Sequence, residues 1–152
     1  GSDLDRTAIT GSNANLQWLR ENYAITVSSE IVYSDATNLA LPVEPGSIKY
    51  LVTEPFLGKP KPQPEAMANI FKGLEKLYLG AFKHWTKWLA DGARLVVVLP
   101  YVQTEKHTYS QQKLIDKLKE WGYTLTVEPV LYARPQAIVQ RQIVIFTWKQ
   151  SK

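Results

Sequence analysis

"ARLVVVLP", residues 93–100, is the stretch on which the fold turns. After Arg94 its apolar residues run from Leu95 to Leu99 without a polar break up to Pro100, whereas a strand with one wet face would alternate. The run therefore predicts a central parallel strand covered on both faces. Immediately upstream, Met67, Ile70, Phe71, Leu74, Leu77, Tyr78, Ala81, Phe82, Trp85, Trp88 and Leu89 keep a three-and-four spacing. That spacing predicts one long amphipathic helix from Pro64 to Leu89, with Asp91-Gly92 as its stop signal.

Further upstream, "SIKYLVT" (47–53) and "EIVYSDA" (30–36) read as buried strands. Residues 7–22 carry Ile9, Leu16 and Leu19 at helical spacing, weakened by Gly11. Downstream, Leu114, Ile115, Leu118 and Trp121 mark a helix that Gly122 ends. "YTLTVEPVLYA" (123–133) and "QAIVQRQIVIFTWK" (136–149) then form a closing strand pair, connected near Arg134-Pro135. The order is helix, strand, strand, helix, strand, helix, strand, strand. It predicts an α/β class with a mostly parallel sheet and an antiparallel C-terminal pair. No repeat or low-complexity segment divides residues 1–152, so one domain is expected.

Composition narrows the chemistry. The chain has no cysteine, which excludes thiol catalysis, disulfides and cysteine-zinc sites and fits a cytoplasmic setting. No apolar run has the length of a membrane span. A net charge of +4 mildly favours a polyanionic partner. Lys72, Lys76, Lys83 and Lys87 fall on one side of the long helix and either track a nucleic-acid backbone or form its solvated face. His84 and His107 stand alone, with no metal-ligand pattern around them. Trp85 and Trp88 belong to the apolar stripe and are expected in the core. The chain starts Gly1-Ser2, and its only methionine is Met67, so a processed, tagged or truncated product is expected.

In open α/β sheets ligands bind at the carboxyl ends of strands. Three acids qualify: Asp3, Asp35 and Glu54. Asp3, with Asp5 as its nearby substitute, either accepts hydrogen bonds from a ribose diol or belongs to a cap for the following helix. Asp35 either accepts from an exocyclic amine, with the Ala36 amide donating to a ring nitrogen, or bonds its own turn. Glu54 ends a buried strand, where an unpaired charge is costly, so it demands a partner. Pro55 has no amide hydrogen and fixes the backbone, leaving carbonyls free to face a ligand, and Phe56 offers a flat face for stacking. An ordinary exposed glutamate on a proline-rich loop is the alternative.

"GSDLD…NLQWL", "SDATNL" and "VTEPFLG", in this order, resemble the class I S-adenosylmethionine-dependent methyltransferases. The likeness is greatest to the RNA methylases that include the tRNA guanosine N2-methyltransferases, and "LYARPQAIVQRQIVIF" is similar to their closing segment. The resemblance implies a Rossmann-like methyltransferase sheet and S-adenosylmethionine as cofactor. Asp3 and Leu4 would lie at its ribose, Asp35 and Ala36 at its adenine, and Glu54 would border it. Glu54, Pro55 and Phe56 would then be catalytic, with Phe56, Leu57 and Gly58 binding the substrate base. The implied reaction is methylation of an exocyclic amine of RNA, guanine N2 in tRNA above others. Methylation of a DNA or protein amine, or an inert module binding RNA or a subunit, are the alternatives.

Two departures accompany the resemblance. Glu54 replaces the family's aspartate, with Phe56 and Leu57 in the places of its second proline and aromatic. The family's first strand and glycine-rich turn would precede Gly1. An N-terminal segment, or a partner chain, is expected to complete the sheet, because unpaired strand edges are seldom tolerated in a stable protein.

Overall fold

The sheet of the computed structural model, which describes residues 1–150, runs in two pieces. In the first, β1 (Ser2–Asp3) pairs in parallel with β2 (Val32–Tyr33), and α1 (Arg6–Asn22) makes the crossover. In the second, β3 (Ile48–Thr53), β4 (Leu89–Gln103), β8 (Gln140–Trp148) and β6 (Tyr123–Leu125) lie side by side in that order. β7 (Val130–Tyr132) also pairs with β8, and β5 (Thr108–Tyr109) folds back on β4. Helices α2 (Met67–Trp85) and α3 (Gln112–Leu118) lead into β4 and β6.

β4 is parallel to β3, while β8 is antiparallel to β4, β6 and β7. Thus β3, β4, β6 and β7 point one way and β8 points against them, the α/β arrangement with an antiparallel ending that the element order predicts. The two pieces share an orientation. After β2 the chain descends along α2: Thr37 lies beside Gly80, and the His84 Nε2 donates to the Leu39 carbonyl at 2.9 Å. It then turns into β3, so β2 and β3 end at the same edge.

Several elements differ from the sequence reading. The long helix stops at Trp85, preceded by a 3₁₀ turn at Pro64–Ala66, and Leu89 opens β4 by pairing with Ile48. Asp91-Gly92 lies inside that strand: the register jumps between Ile48 and Tyr50, and Gly92 takes φ 77° in the bulge. The "EIVYSDA" strand shrinks to two residues. The closing segment from 123 to 133 splits into β6 and β7 around Glu128-Pro129. Proline cannot donate to a ladder, which accounts for the break.

Burial is the larger correction. Leu95, Val97 and Leu99 of β4 and Val144 and Phe146 of β8 are at most 1% exposed, packed with Leu74, Tyr78 and Phe82 of α2 and Leu114 and Leu118 of α3. Phe82 stacks edge-on against Tyr123 at 5.2 Å, and the Tyr123 hydroxyl donates to the Phe82 carbonyl at 2.7 Å. The alternate positions Val96, Val98, Ile143 and Ile145 face the other way and are only half-buried. On β3, Tyr50 and Val52 are 75% and 78% exposed, and on β2 Tyr33 is 53% exposed. The apolar run at 93–100 is therefore covered by helices on one face rather than two. α1 contributes no buried residue.

Candidate active site

Glu54 follows directly on β3, on the same alternating face as Tyr50 and Val52. Its partner is Arg141 of β8. The guanidinium Nε donates to Oε2 at 2.9 Å and Nη2 donates to Oε1 at 2.8 Å, a two-pronged match of fork to carboxylate. The Arg141 hydrogen bond holds the Glu54 carboxyl below its ordinary range; partial burial opposes this, and the charges of Arg141 and Arg134 reinforce it. The sequence required a partner for Glu54 but did not name it. The available signal was a lone arginine in the otherwise uncharged run "QRQIVIFTW".

The loop beyond Glu54 is set from below. Tyr78 is 1% exposed, and its hydroxyl donates to the Phe56 carbonyl at 2.7 Å. Burial raises the Tyr78 phenol well above its usual value, so it stays a donor. Gly58 takes φ 92°, a conformation that side chains disfavour, and turns the chain over Ile70 and Leu74. The Phe56 ring is left 64% exposed. Glu54, Phe56, Leu57 and Gly58 line a cavity of about 540 Å³ together with Pro55, Lys61, Arg134 and Arg141. It is an acidic acceptor set in a basic rim.

Asp3, Leu4 and Asp35 stand apart from that cavity. Asp3 Oδ1 accepts from the Asp5 amide at 2.8 Å, and Asp5 in turn caps α1 by accepting from Thr7. Asp35 Oδ1 accepts from both the amide and the hydroxyl of Thr37, each at 2.7 Å, and the backbone bond chiefly lowers its pKa. Each carboxylate thus commits Oδ1 to its own turn and is held in a fixed orientation at the end of a parallel strand. Leu4 is 52% exposed beside them. Ala36 lines a separate cavity between β1 and β3.

Tested against S-adenosylmethionine, this set fits one end. Oriented carboxylate oxygens are the acceptors that a ribose diol and an adenine amine require. Among the described residues no glycine-rich turn follows β1, β2 or β3 for the methionine end. Elsewhere, Lys72, Lys76, Lys83 and Lys87 are all exposed, and Trp85 and Trp88 are buried in the core. His107 packs edge-on against Tyr109. Among the described residues no helix is long and apolar enough to cross a membrane.

No family model matches the chain, and no curated protein matches it in sequence. Solved structures do. A SAM-dependent methyltransferase from Methanosarcina mazei superposes with a TM-score of 0.67 at 13% identity, over 99% of this chain and 82% of that one. An rRNA methylase from Streptococcus thermophilus gives 0.55 at 19% identity, over 98% and 72%. Magnesium protoporphyrin IX methyltransferase from Synechocystis PCC 6803, solved with bound SAM, gives 0.59 at 11% identity, over 99% and 58%. At these identities the comparison establishes architecture: the chain has the α/β, Rossmann-like methyltransferase fold.

Proposed function

We propose that this chain is the catalytic part of an S-adenosylmethionine-dependent methyltransferase acting on an exocyclic amine of RNA, with guanine N2 in tRNA as the target. The observation that carries the reading is the cavity at the end of β3, where Glu54 and the Pro55–Gly58 loop meet Lys61, Arg134 and Arg141 on a methyltransferase fold. A negatively charged acceptor inside a basic rim suits a neutral amine carried on a polyanion. The structural likeness to an rRNA methylase supports RNA as the substrate class.

Asp3 and Leu4 would hold the cofactor ribose and Asp35 and Ala36 its adenine, with Glu54 bordering it. The bound cofactor supplies an electrophilic methyl group on sulfur. The chain's own contribution is orientation. An aromatic amine is a poor nucleophile because its lone pair is delocalised into the ring. Acceptors at Glu54 and the Pro55 carbonyl would take the two amine hydrogens and turn the lone pair toward the donor. Phe56, Leu57 and Gly58 would seat the base, with the exposed Phe56 ring as the stacking surface.

Arg141 refines the role of Glu54. A carboxylate offers about four lone-pair sites, and Arg141 takes two, so acceptor capacity remains for the amine. The same contact depresses the carboxyl's basicity, so Glu54 stabilises charge developing on nitrogen while solvent takes the proton. The test is Glu54→Ala, with calorimetry for S-adenosylmethionine beside a methyl-transfer assay on tRNA transcripts. Turnover is expected to fall about a hundredfold or more with cofactor binding kept, by analogy with loss of one preorganised polar group. Near-normal turnover in the variant contradicts the assignment.

A further inference from the structure

Two cavities meet at the Phe56 loop. Beside the one already described lies a groove of about 630 Å³ between the loop and α2. Phe56, Gly58 and Lys61 border both. The floor of the groove is apolar, made by Ile70, Leu74 and Leu77 on successive turns of α2. Its rim is cationic: Lys59 and Lys61 are exposed, no acidic residue lines the groove, and among the described residues neither lysine pairs with a carboxylate. Gln63 and Asn69 add exposed side-chain amides, each able to donate and to accept.

The two glycines of α2 give an independent observation. Glycine is disfavoured in a helix interior, so each needs a reason to be there. Gly80 has one: a Cβ at that position would lie 3.3 Å from the Thr37 side chain. Gly73 has none within the chain, since a Cβ there would meet nothing within 4 Å, and Gly73 lines the groove. Bare backbone in an apolar wall lets a flat group approach the helix more closely than any side chain would allow.

We propose that this groove holds the nucleotide adjacent to the target in the substrate strand, with the Phe56 ring wedged between the two bases. The inference rests on the reading of the first cavity as the seat of the target amine. A nucleotide matches the groove part for part. Its base is flat and apolar on both faces, suited to Ile70, Leu74 and the bare backbone of Gly73. The edge of the base carries donors and acceptors that Asn69 and Gln63 answer, and the anionic phosphates fall to Lys59 and Lys61. Lys61 borders both cavities, where the phosphate that links the two nucleotides must pass. An apolar peptide side chain would fill the floor but leave both lysines and both amides unanswered. The wedge also unstacks the target from its neighbour, which frees the target base to enter the first cavity.

The experiment is a methyl NMR titration of the full-length protein, with S-adenosylhomocysteine present so that no transfer occurs. The probes are guanosine monophosphate and dinucleotides carrying guanosine on the 5′ or the 3′ side. The Leu57 methyls report the first cavity, and those of Ile70, Leu74 and Leu77 the groove, because each set lines only one of the two. The mononucleotide is expected to shift Leu57 alone. Dinucleotides of one order should shift both sets and bind about tenfold more tightly, the scale of one added stacked base. Gly73→Leu, whose side chain fills the groove, should keep the melting temperature and the mononucleotide affinity and abolish the tenfold gain. Leu57 shifts without any groove shift overturn the inference and leave the amine site standing. No shift at Leu57 with any nucleotide removes that site and the inference with it. A gain kept in Gly73→Leu overturns the inference, as do equal gains from both orders. Groove shifts that grow with protein concentration in the absence of RNA assign the groove to a second copy and also overturn it.

Discussion

Arg141 holds both carboxylate oxygens of Glu54, at 2.9 and 2.8 Å, across 87 residues of sequence. The contact joins β8, which runs antiparallel to β4, to the end of β3, where the loop that carries Pro55 and Phe56 begins. Glu54 is exposed, with 45% of its side chain accessible, and the pair leaves it charged and oriented at the surface.

The pair makes Glu54 a pH-sensitive element with a definite sign. Its carboxyl titrates below the ordinary value of 4.5, chiefly because of the Arg141 hydrogen bond. The stability it contributes is present above that ordinary value and is lost as pH falls through the lowered one. Carbon-detected NMR titration should place Glu54 below 4.5 in the native chain and shift it upward in Arg141→Gln. An unchanged Glu54 titration in the variant would show that the ion pair does not persist in solution.

Tyr78 anchors the same loop from the core. Tyr78→Phe removes the donor to the Phe56 carbonyl without changing shape, and should cost about 1 kcal/mol in urea denaturation. Amide exchange at residues 56–58 should accelerate more than in β4. Equal acceleration throughout would mean that the hydroxyl stabilises the core and not the loop.

Gly122 sets the turn from α3 into β6. It takes φ 84°, and a Cβ there would clash with the Lys149 carbonyl oxygen. Gly122→Ala meets both backbone strain and a backbone clash, and should cost about 2 kcal/mol or more by thermal unfolding. A loss within about 0.5 kcal/mol, the range of neutral surface changes, would mean that the Lys149 backbone moves aside.

The order of the three helices and the longer strands, the antiparallel ending and the Gly122 stop were legible because each rests on local periodicity or on one residue's backbone preference; β1 and β5, two residues each, are too short to carry a period and were not read. Burial of the strands was not. An apolar run such as Val96-Val97-Val98 states that both faces are oily, and cannot state whether a helix lies on each. The Leu89 boundary was missed because a strand beginning on an apolar residue continues a helical spacing without a break. At the site, Glu54 announced its need for a partner through its position beyond an apolar strand. Arg141 remained hidden because strand register, which brings it level with Pro100, is decided by pairing rather than by spacing. Asp35 and Asp5 resolved into turn and cap contacts, both open on local grounds.

The most direct test of the central claim is to incubate the full-length protein with S-adenosylmethionine carrying an isotopically labelled methyl group and unmodified tRNA transcripts, then digest the RNA to nucleosides for mass spectrometry. The account predicts label on the exocyclic nitrogen of guanosine, and none with Glu54→Ala. Label on a ring carbon or a ribose oxygen, or no label in any nucleoside, would contradict it.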